Sequence, residues 1–318
     1  MSEHPPVILK AAPVVEQLRP NLKARAAAIR AQGVVPRLAI VTDNYKGPIQ
    51  KYVDRKRVVG AELGIDVDLL SESRCLESLQ SYLKQACNDT ETNGVILQLP
   101  VAGLQGMSPR ERGLREAALL DSIPLERDVD GLAHGSPFSP ATPMGIFALL
   151  GHYVPDFLEQ NTVLYGDGVL VGKPYGRLAK LAGAKNISVV DINTSPKERQ
   201  EMLHAASIII AATGSPESLT LADVGTDLPK IIVDAGTAER SGKNVGDMSA
   251  ELRAYAENTA GWGTTPVIGG VGPLTVWNLH GNVLTAAERA MEAGTASQAW
   301  LSDTMAGQAY ANMLAFEG

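Results

Sequence analysis

The sequence predicts an α/β protein whose parallel sheets are covered by helices, and three observations lead to this fold class. Strand-like and helix-like stretches alternate along most of the chain, which is the pattern of βαβ units. Apolar residues make up 45% and charged residues 20% of the chain, as in folded globular proteins. The length of 318 residues is enough for two ordinary domains, each with its own core.

The first set of alternating elements ends near Asp121. Apolar runs predict strands over 38–41, 67–70 and 95–97, and helical spacing predicts helices over 49–63 and 76–86. A further helical stretch precedes Asp121. The last of the three strands leads into Gln98-Leu99-Pro100. Open α/β sheets bind their ligands at such carboxyl ends of strands.

A second set begins near Pro143. It predicts strands over 162–165, 187–190, 207–211 and 231–233, with helices over 144–150 and 174–182. The helices from about Pro273 onward have no strand to follow, so we expect them to pack on the first domain. The predicted organisation is therefore a domain over 1–142, completed by helices within 280–318, and a Rossmann-like domain over 143–279.

Charge and cysteine content exclude several classes of protein. The net charge of −7 argues against a nucleic-acid binder, although it leaves room for an anionic ligand. Cys75 and Cys87 make no metal-type pair and the five histidines are scattered, so no metal site is predicted. We find no signal peptide and no apolar run long enough to cross a membrane. A cytoplasmic protein with reduced thiols is the expectation.

A glycine-rich turn, Gly166-Asp167-Gly168-Val169-Leu170-Val171-Gly172, joins a predicted strand to a predicted helix. Its G-x-G-x-x-x-G spacing is one residue longer than the usual dinucleotide fingerprint. Glycines there let the backbone approach a pyrophosphate at a helix N-terminus, although glycines also occur at such turns for steric reasons alone. A phosphate-binding P-loop is excluded, because Lys173 is followed by Pro174 rather than Ser or Thr.

Asp191 ends the strand that follows, 19 residues after Gly172. A carboxylate there can bind the ribose hydroxyls of a dinucleotide, and the alternative is a helix cap or a solvated turn. The strand, turn, helix and acidic residue together favour a nucleotide site. Its candidate residues are Gly166, Asp167, Gly168, Val171, Gly172 and Asp191.

Lys56 falls on the same helix face as Val53, Gly60 and Leu63, and Tyr52 lies one turn before it. The ordinary explanation is a lysine at the helix border whose amine reaches water. Gln98 at its strand end is by itself more often a structural amide than a catalytic group.

Two further segments also have ordinary explanations. Asp128 and Asp130 in Arg127-Asp128-Val129-Asp130-Gly131 can be turn formers. The segment Gly269-Gly270-Val271-Gly272-Pro273 can allow close approach of a ligand, and a flexible hinge is an equal alternative.

These features, taken together and in order, resemble a known family. The chain is similar to the bifunctional methylenetetrahydrofolate dehydrogenase/cyclohydrolases over about residues 36 to 290. The ordered set of motifs is far more specific than any one of them. The matching segments are Tyr52-Val53-Asp54-Arg55-Lys56, Val95-Ile96-Leu97-Gln98-Leu99-Pro100, Asp128-Val129-Asp130-Gly131, Thr142-Pro143, Val171-Gly172-Lys173-Pro174 and Pro266-Val267-Ile268-Gly269-Gly270-Val271-Gly272-Pro273-Leu274-Thr275.

The resemblance implies a fold and an activity. The fold is an N-terminal α/β folate-binding lobe and a Rossmann-like nucleotide-binding domain with a cleft between them, in a protein that is usually a homodimer. The activity is oxidation of 5,10-methylenetetrahydrofolate to 5,10-methenyltetrahydrofolate, with hydride transfer to NAD or NADP and hydrolysis to 10-formyltetrahydrofolate. We therefore expect tetrahydrofolate derivatives as partners, and neither nucleic acid nor a membrane.

The resemblance also implies residue roles. Lys56 is expected to be the central catalytic lysine, Tyr52 to position the folate, and Gln98 to bond Lys56. Asp130 is expected to bind the pterin. The folate site is expected to be lined by Gly269, Gly270 and Pro273.

Four segments depart from the family pattern. Gly47-Pro48-Ile49 stands where Pro-Ala-Ser is usual, Ile268 replaces a proline, and Val101-Ala102 replaces Leu-Pro. In the glycine turn, Asp167-Gly168 replaces Arg-Ser, which removes a cation that could meet the extra phosphate of NADP. Together with Asp191 this predicts NAD rather than NADP. The cations that could reverse the preference are Lys173, Lys197 and Arg199.

Two alternatives to the bifunctional enzyme stay open at this point. One is a monofunctional NAD-dependent methylenetetrahydrofolate dehydrogenase, and the other is a catalytically silent folate- or nucleotide-binding protein. The presence of Tyr52, Lys56 and Gln98 together favours the bifunctional enzyme.

Overall fold

The structure is a computed structural model that describes residues 4–71, 75–240 and 243–293. Within these residues the chain forms two compact units. The first unit contains 18–141 and 276–293, and the second contains 4–17 and 142–275. The predicted fold class, a two-domain α/β protein with parallel sheets, is confirmed.

Helices and strands are numbered in chain order. The strands are β1 (Val7–Ile8), β2 (Arg37–Thr42), β3 (Asp66–Ser71), β4 (Gly94–Leu97), β5 (Thr162–Tyr165), β6 (Ile187–Val190), β7 (Ile208–Ala211), β8 (Ile231–Asp234), β9 (Ala238–Arg240), β10 (Lys243–Val245) and β11 (Gly263–Thr264). The helices are α1 (Ala11–Ala31), α2 (Gly47–Leu63), α3 (Leu76–Asn88), α4 (Pro109–Leu120), α5 (Ala141–Tyr153), α6 (Gly172–Leu181), α7 (Pro196–Ala205), α8 (Leu221–Val224), α9 (Ala250–Asn258) and α10 (Val271–Ala293).

The first unit contains a parallel sheet in the strand order β3-β2-β4. Its alternate residues Ala39, Val41, Val95 and Leu97 pack against α3 and the segment after β4, because successive side chains of a strand point to opposite faces. Register pairs Val41 with Leu97, so β2 and β4 end side by side. The residues that follow them therefore share one edge of the sheet.

The second unit contains a parallel sheet whose described strands follow the order β1-β11-β8-β7-β5-β6. Tyr165 pairs with both Val190 and Ala211, so β5, β6 and β7 also end at one edge. The helices α7 and α9 cover a core that includes Leu203, Leu252 and Trp262. The predicted strands over 162–165 and 187–190 coincide with β5 and β6.

The N-terminal segment differs from the sequence-based assignment, which placed all of residues 1–142 in the first domain. β1 pairs in parallel with β11, with Val7 opposite Gly263. The amide of Leu9 also donates to the carbonyl of Thr264 at 2.9 Å. Residues 4–17 therefore belong to the second unit, because a strand of two residues is stable only as an extension of an existing sheet.

The predicted helix before Asp121 is α4, which begins with a capping box between Ser108 and Glu111. The helical segment predicted from Pro273 onward is the single helix α10 as far as Ala293, and residues 276–293 of it belong to the first unit. The remainder of that prediction, 294–318, lies outside the described residues. No helix in the described ranges is long and apolar enough to cross a membrane.

Candidate functional site

The side chain of Lys56 is buried on α2, with 5% of its surface exposed. It shares the inward face of that helix with Val53, Gly60 and Leu63. α2 forms because Pro48 occupies its first turn, where a missing N–H costs nothing, and it ends at Gly64 in the left-handed conformation. The ordinary explanation of Lys56, a packed stem with its amine in water, is therefore wrong.

The side chain of Gln98 accepts a hydrogen bond from the buried ammonium group of Lys56. Lys56 Nζ donates to Gln98 Oε1 at 2.8 Å. Gln98 directly follows β4, and its own amide donates to the carbonyl of Val41 at 2.9 Å. Its side-chain Nε2 donates to the carbonyl of Leu99 at 3.0 Å, which fixes the orientation of the amide. The explanation of Gln98 as a purely structural amide is thus incomplete, because its side-chain oxygen also accepts a hydrogen bond from Lys56.

Tyr52 and Asp130 also act on Lys56. Lys56 Nζ lies 5.9 Å from the centre of the Tyr52 ring, at the upper range of a cation–π contact. Burial lowers the pKa of Lys56, and the negative charge of Asp130 opposes that shift. Burial raises the pKa of Asp130, and the positive charge of Lys56 opposes it. The two groups therefore each favour the charged form of the other.

The turn at Asp128–Gly131 holds Asp130 in place. The amide of Gly131 donates to the carbonyl of Asp128 at 3.0 Å, and Gly131 has φ of 70°. Asp128 is fully buried, accepts the amide of Ala133 at 2.9 Å, and has its pKa raised to about 6, mainly by burial. The turn-former explanation is thus correct for Asp128, whereas the charge of Asp130 acts on Lys56.

Sequence reasoning missed three buried polar residues of this unit, Asp43, Asn282 and His280. Asp43 follows β2 and accepts the amides of Ala102 at 2.8 Å and Gly103 at 2.5 Å, which anchors the loop after Gln98. Asn282 on α10 donates to the carbonyl of Val129 at 2.8 Å. His280, also on α10, is fully buried. Asp43 could have been found, since it follows a strand at the same sheet edge as Gln98.

The glycine turn between β5 and α6 requires glycine at two of its positions. Gly166 has φ of 115°, and a Cβ there would lie 2.6 Å from the carbonyl oxygen of Ala212. A Cβ at Gly172 would lie 2.0 Å from the carbonyl oxygen of Gly166. At Gly168 the nearest atom would be 3.7 Å away, so sterics do not require glycine there. These two glycines let the turn pack closely against the backbone at the start of α6, and a helix N-terminus favours anionic groups such as a pyrophosphate.

Val171 is the residue that precedes α6, and its side chain makes no capping hydrogen bond. An acceptor for one of the first amides of α6 comes instead from the backbone of the turn, because Lys173 N donates to the carbonyl of Gly168 at 3.1 Å.

The two acidic residues of the nucleotide turn region have local partners. Lys173 Nζ lies 3.5 Å from Asp167 Oδ2. Asp191 accepts the amides of Asn193 at 2.9 Å and Thr194 at 3.1 Å, and these bonds, led by that of Asn193, lower its pKa. The solvated-turn alternative for Asp191 therefore describes its present contacts. Asp191 Oδ1 also accepts Thr194 Oγ1 at 3.1 Å, and its Oδ2 accepts Asn193 Nδ2 at 3.2 Å. A ribose hydroxyl that binds this carboxylate would therefore replace one of the side-chain bonds.

Loops after β7 and β8 are tied together by two buried aspartates that the sequence analysis did not single out. Asp247 accepts Thr213 N at 2.5 Å and Gly214 N at 3.1 Å. Asp234 accepts Asp247 N at 2.9 Å and pairs with Arg253 at 2.6 Å. These bonds fix the loop backbones at the carboxyl edge of the sheet.

The segment Gly269–Pro273 is a tight turn at the start of α10. Gly269 has φ of 86° and its carbonyl accepts the amide of Ala11 at 2.8 Å. A Cβ at Gly270 would lie 2.6 Å from the carbonyl oxygen of Pro266. Pro273 falls in the first turn of the helix, where no N–H is needed. These contacts favour a fixed turn over the alternative of a flexible hinge.

A glycine turn at the carboxyl edge of a parallel sheet, as in the second unit, is typical of dinucleotide-binding α/β domains. Two family models match the chain: "Tetrahydrofolate dehydrogenase/cyclohydrolase, catalytic domain" over residues 9–130 and "Tetrahydrofolate dehydrogenase/cyclohydrolase, NAD(P)-binding domain" over residues 140–291. The chain belongs to the tetrahydrofolate dehydrogenase/cyclohydrolase family.

Individual relatives agree with these models. "Bifunctional protein FolD" of Macrococcus caseolyticus is 30% identical over 303 residues, covering 91% of this chain and 100% of that protein. FolD of Staphylococcus aureus strain JH9 is 30% identical over 88% of this chain and 96% of its own. The crystal structure of the bifunctional FolD dehydrogenase/cyclohydrolase from Campylobacter jejuni superposes with a TM-score of 0.75 at 26% identity, covering 89% and 99%.

The predicted family and activity are confirmed by these matches. The protein is a methylenetetrahydrofolate dehydrogenase with cyclohydrolase activity that uses NAD or NADP. The alternative of a catalytically silent binding protein is not favoured by any of these matches.

Proposed function

We propose that Lys56 is the proton-transfer group of the cyclohydrolase step, with Gln98 orienting it. The observation that carries this proposal is the bond of 2.8 Å between Lys56 Nζ and Gln98 Oε1 inside the protein. Hydrolysis of the methenyl group removes both protons from the attacking water, and the departing ring nitrogen takes one back. A group that accepts and returns a proton near neutral pH meets this need. Burial, by lowering the pKa of Lys56, moves the lysine toward that range.

The remaining roles follow the family resemblance and are proposals as well. Tyr52, one helical turn from Lys56, positions the folate, and Asp130 binds the pterin. Gly269, Gly270 and Pro273 contribute folate contacts. The negative charge of Asp130 also favours the protonated form of Lys56, because the two groups attract each other.

The Lys56→Met variant tests the central role. We expect it to lose cyclohydrolase activity by about a hundredfold or more, the range of general acid–base catalysis. Binding of the nucleotide should change much less, because its contacts come from the second unit. Lys51→Met is the matched control, since Lys51 is exposed on the same helix. Hydrolysis by Lys56→Met at the rate of the control, with both variants folded, would contradict the proposal.

We propose further that Gly166, Asp167, Gly168, Val171, Gly172 and Asp191 hold the nicotinamide cofactor. When bound, this cofactor accepts the hydride from methylenetetrahydrofolate. The glycines bring backbone amides up to the pyrophosphate, and the Asp191 carboxylate accepts from ribose hydroxyls.

NAD is the proposed preferred cofactor. Lys173, Lys197 and Arg199 each already have an acidic neighbour. Lys173 lies near Asp167, Arg199 pairs with Asp223 at 2.9 Å, and Lys197 lies 3.8 Å from Glu201. Arg199 is also held over the Tyr165 ring at 4.9 Å. The test is the ratio of kcat/KM for methylenetetrahydrofolate oxidation with NAD and with NADP.

A cytoplasmic homodimer is the proposed state of the protein. The location is supported by Cys75 and Cys87, which are both free thiols as expected in a reducing compartment. The dimer is supported by the family resemblance. Light scattering after size-exclusion chromatography tests the dimer, and cell fractionation tests the location.

A further inference from the structure

Asp247 is a buried aspartate, 1% exposed, to which neither proposed site gives a role. One oxygen of its carboxylate, Oδ2, accepts three hydrogen bonds from the loop after β7. The donors are Thr213 N at 2.5 Å, Thr213 Oγ1 at 2.8 Å and Gly214 N at 3.1 Å. Hydrogen bonds to a carboxylate are among the strongest in proteins. Asp247 therefore fixes the orientation of both peptide groups that flank Thr213.

The amide that Asp247 holds lies against the glycine turn. A Cβ at Gly166 would lie 2.6 Å from the carbonyl oxygen of Ala212 and 2.8 Å from Thr213 N. The amide of Ala212 also donates to the carbonyl of Tyr165 at 2.8 Å. The loop after β7 is thus in direct backbone contact with the first glycine of the turn, so a shift of Thr213 would change the space at Gly166.

The backbone of Asp247 is itself held from β8 and α9. Asp234, the last residue of β8, accepts Asp247 N at 2.9 Å and Met248 N at 3.1 Å. Arg253 on α9 donates to Asp234 Oδ2 at 2.6 Å and compensates the charge of that buried carboxylate. Hydrogen bonds therefore connect α9, the end of β8 and the loop after β7, and all of these residues belong to the second unit.

We propose that Asp247 is a positioning residue for the nicotinamide cofactor, because it keeps the loop after β7 against the glycine turn in the arrangement that binds the dinucleotide. This inference rests on the proposed function, since it takes the glycine turn as the cofactor site. Asp247 acts through Thr213 and Gly214 rather than by contact with the cofactor. Its charge alone would disfavour binding, because a carboxylate repels an anionic pyrophosphate. A favourable effect of Asp247 on cofactor affinity therefore reports positioning.

Isothermal titration calorimetry with NAD and with NADP tests the proposal in wild type, Asp247→Ala and Asp247→Asn. Alanine removes the acceptor of all three hydrogen bonds, and we expect Kd for both cofactors to rise by more than about tenfold. Asparagine keeps an oxygen that can accept the amides of Thr213 and Gly214. Its Kd should stay within about threefold of the wild-type value.

Ser249→Ala is the matched control for a loss of stability in the same segment. Ser249 lies two residues after Asp247, and its Oγ accepts Leu252 N at 3.2 Å as the cap of α9. Loss of a helix cap destabilises a protein. The control should therefore lower the melting temperature but leave Kd within about twofold of wild type.

Steady-state kinetics separate positioning from general damage. In Asp247→Ala, KM for the cofactor should rise with Kd, while kcat for methylenetetrahydrofolate oxidation should fall by less than about threefold. Hydrolysis of methenyltetrahydrofolate consumes no nicotinamide and should stay within about twofold of wild type.

A merely structural aspartate gives a different result. In that case Asp247→Ala lowers the melting temperature, as Ser249→Ala does, but binds both cofactors with wild-type affinity, and this outcome overturns the proposal. Tighter binding by Asp247→Ala also overturns it, since only the charge would then matter. Equal weakening in the alanine and asparagine variants contradicts a role for the amide bonds.

If Asp247→Ala does not fold, Asp247→Glu decides. Glutamate keeps the charge but carries the carboxylate one methylene further out, so the loop after β7 must move. Binding of NAD and NADP should weaken several-fold, and wild-type affinity in this variant overturns the proposal.

The two proposals fail in distinguishable ways. A Cβ at Gly168 meets no atom closer than 3.7 Å, so Gly168→Glu adds bulk and negative charge to the turn without a backbone clash. If Gly168→Glu binds both cofactors like wild type, the glycine turn is not the cofactor site and the proposed function fails. If Gly168→Glu loses binding while Asp247→Ala keeps it, only the role of Asp247 fails.

Discussion

The ammonium group of Lys56 and the side-chain oxygen of Gln98 are 2.8 Å apart, although 42 positions separate the residues in sequence. The orientation of the Gln98 side-chain amide is fixed, because its Nε2 donates a hydrogen bond to the carbonyl of Leu99. The amide therefore cannot rotate to present its nitrogen to the lysine without losing that bond. Gln98 stabilises the protonated form of Lys56 against the effect of burial.

Replacing Gln98 should shift the pKa of Lys56, and the new side chain should determine whether the pKa rises or falls. In Gln98→Leu the buried ammonium loses its acceptor, and the apparent pKa of the cyclohydrolase profile should fall by about one unit. In Gln98→Glu an anion replaces the amide, and the same pKa should rise by about one unit or more. A hydrogen bond to a charged group contributes about 1.5–3 kcal/mol. Since about 1.36 kcal/mol corresponds to one pKa unit, its loss or gain accounts for both expected shifts.

The measurement is kcat/KM for methenyltetrahydrofolate hydrolysis against pH, with melting temperatures recorded for both variants. Shifts of the same sign in the two variants would show that the profile does not report Lys56. If the pH profile is unshifted in both variants, Gln98 does not affect the pKa of Lys56.

Asp128 makes the stability of the protein depend on pH. Its pKa is raised to about 6 in the folded state, against about 3.9 for an unfolded chain, because the carboxyl is buried. The folded state thus holds this proton more tightly than the unfolded state. The stabilisation is fully present below about pH 4 and is lost as pH rises through 6, a change of roughly 3 kcal/mol.

The Asp128→Asn variant should remove this dependence. Its oxygen can still accept the amide of Ala133, and its NH₂ group replaces the Oδ1 atom that has no hydrogen-bond partner among the described residues. We expect the variant to gain stability over wild type at pH 8 but not at pH 4.5, as measured by urea unfolding at both values. Asp66→Asn, at an exposed carboxyl, is the control. Equal effects of Asp128→Asn at the two pH values would contradict the argument.

Much of the fold could be predicted from local patterns. The strands over 162–165 and 187–190 are apolar runs bounded by turn residues, and the helix over 49–63 has a regular inward face, so each is specified by neighbouring residues. The pairing of β1 with β11 could not be predicted, because two residues carry no periodicity and their partner lies about 250 positions away.

The candidate site shows the same division. Lys56, Gln98 and Asp130 were found because they belong to ordered motifs, whereas composition and spacing alone favoured ordinary explanations for each. His280 was missed because a histidine on a helix gives no sign of what it faces. Its close approach to α2 depends on Gly60, which is remote in sequence: a Cβ at that position would lie 3.2 Å from His280 Nε2.

Gly172 and Gly168 should respond differently to alanine. A Cβ at Gly172 would lie 2.0 Å from the carbonyl oxygen of Gly166, which is backbone and cannot move aside, whereas at Gly168 the nearest atom would be 3.7 Å away. Gly172→Ala should lower the melting temperature and weaken NAD(P) binding by more than about tenfold. Gly168→Ala should fold like wild type, within about 0.5 kcal/mol.

Thermal unfolding and cofactor titration by fluorescence measure the two effects. Because Gly168→Ala leaves the fold intact, any loss of binding in that variant reports contact with the cofactor itself. A Gly172→Ala protein with wild-type stability and affinity would show that the turn is looser than the contact between the two glycines indicates.

The carboxylates at the ends of β5 and β6 should decide the choice of cofactor. NADP differs from NAD by a phosphate on the adenosine ribose, and a negative phosphate is disfavoured near Asp167 and Asp191. Both residues follow adjacent parallel strands, so their carboxylates lie at the same sheet edge. The neighbouring Lys173 weakens the effect of Asp167, since its Nζ is 3.5 Å from that carboxylate. Wild-type protein should nevertheless prefer NAD, by about tenfold or more in kcat/KM.

The double variant Asp167→Arg, Asp191→Ser tests the cause of that preference. It replaces one carboxylate by a guanidinium, which pairs with phosphate bidentately, and the other by a small hydroxyl group. Lys173 is then also released from Asp167 and can contribute a second positive charge. We expect kcat/KM with NADP to rise and kcat/KM with NAD to fall, because the ribose hydroxyls lose the acceptor at Asp191.

Glu201→Ser, at an exposed carboxylate beside Lys197, is the control and should leave the ratio unchanged. A wild-type protein that prefers NADP would overturn the proposed preference. A double variant with an unchanged ratio would leave the preference standing but remove these two carboxylates as its cause.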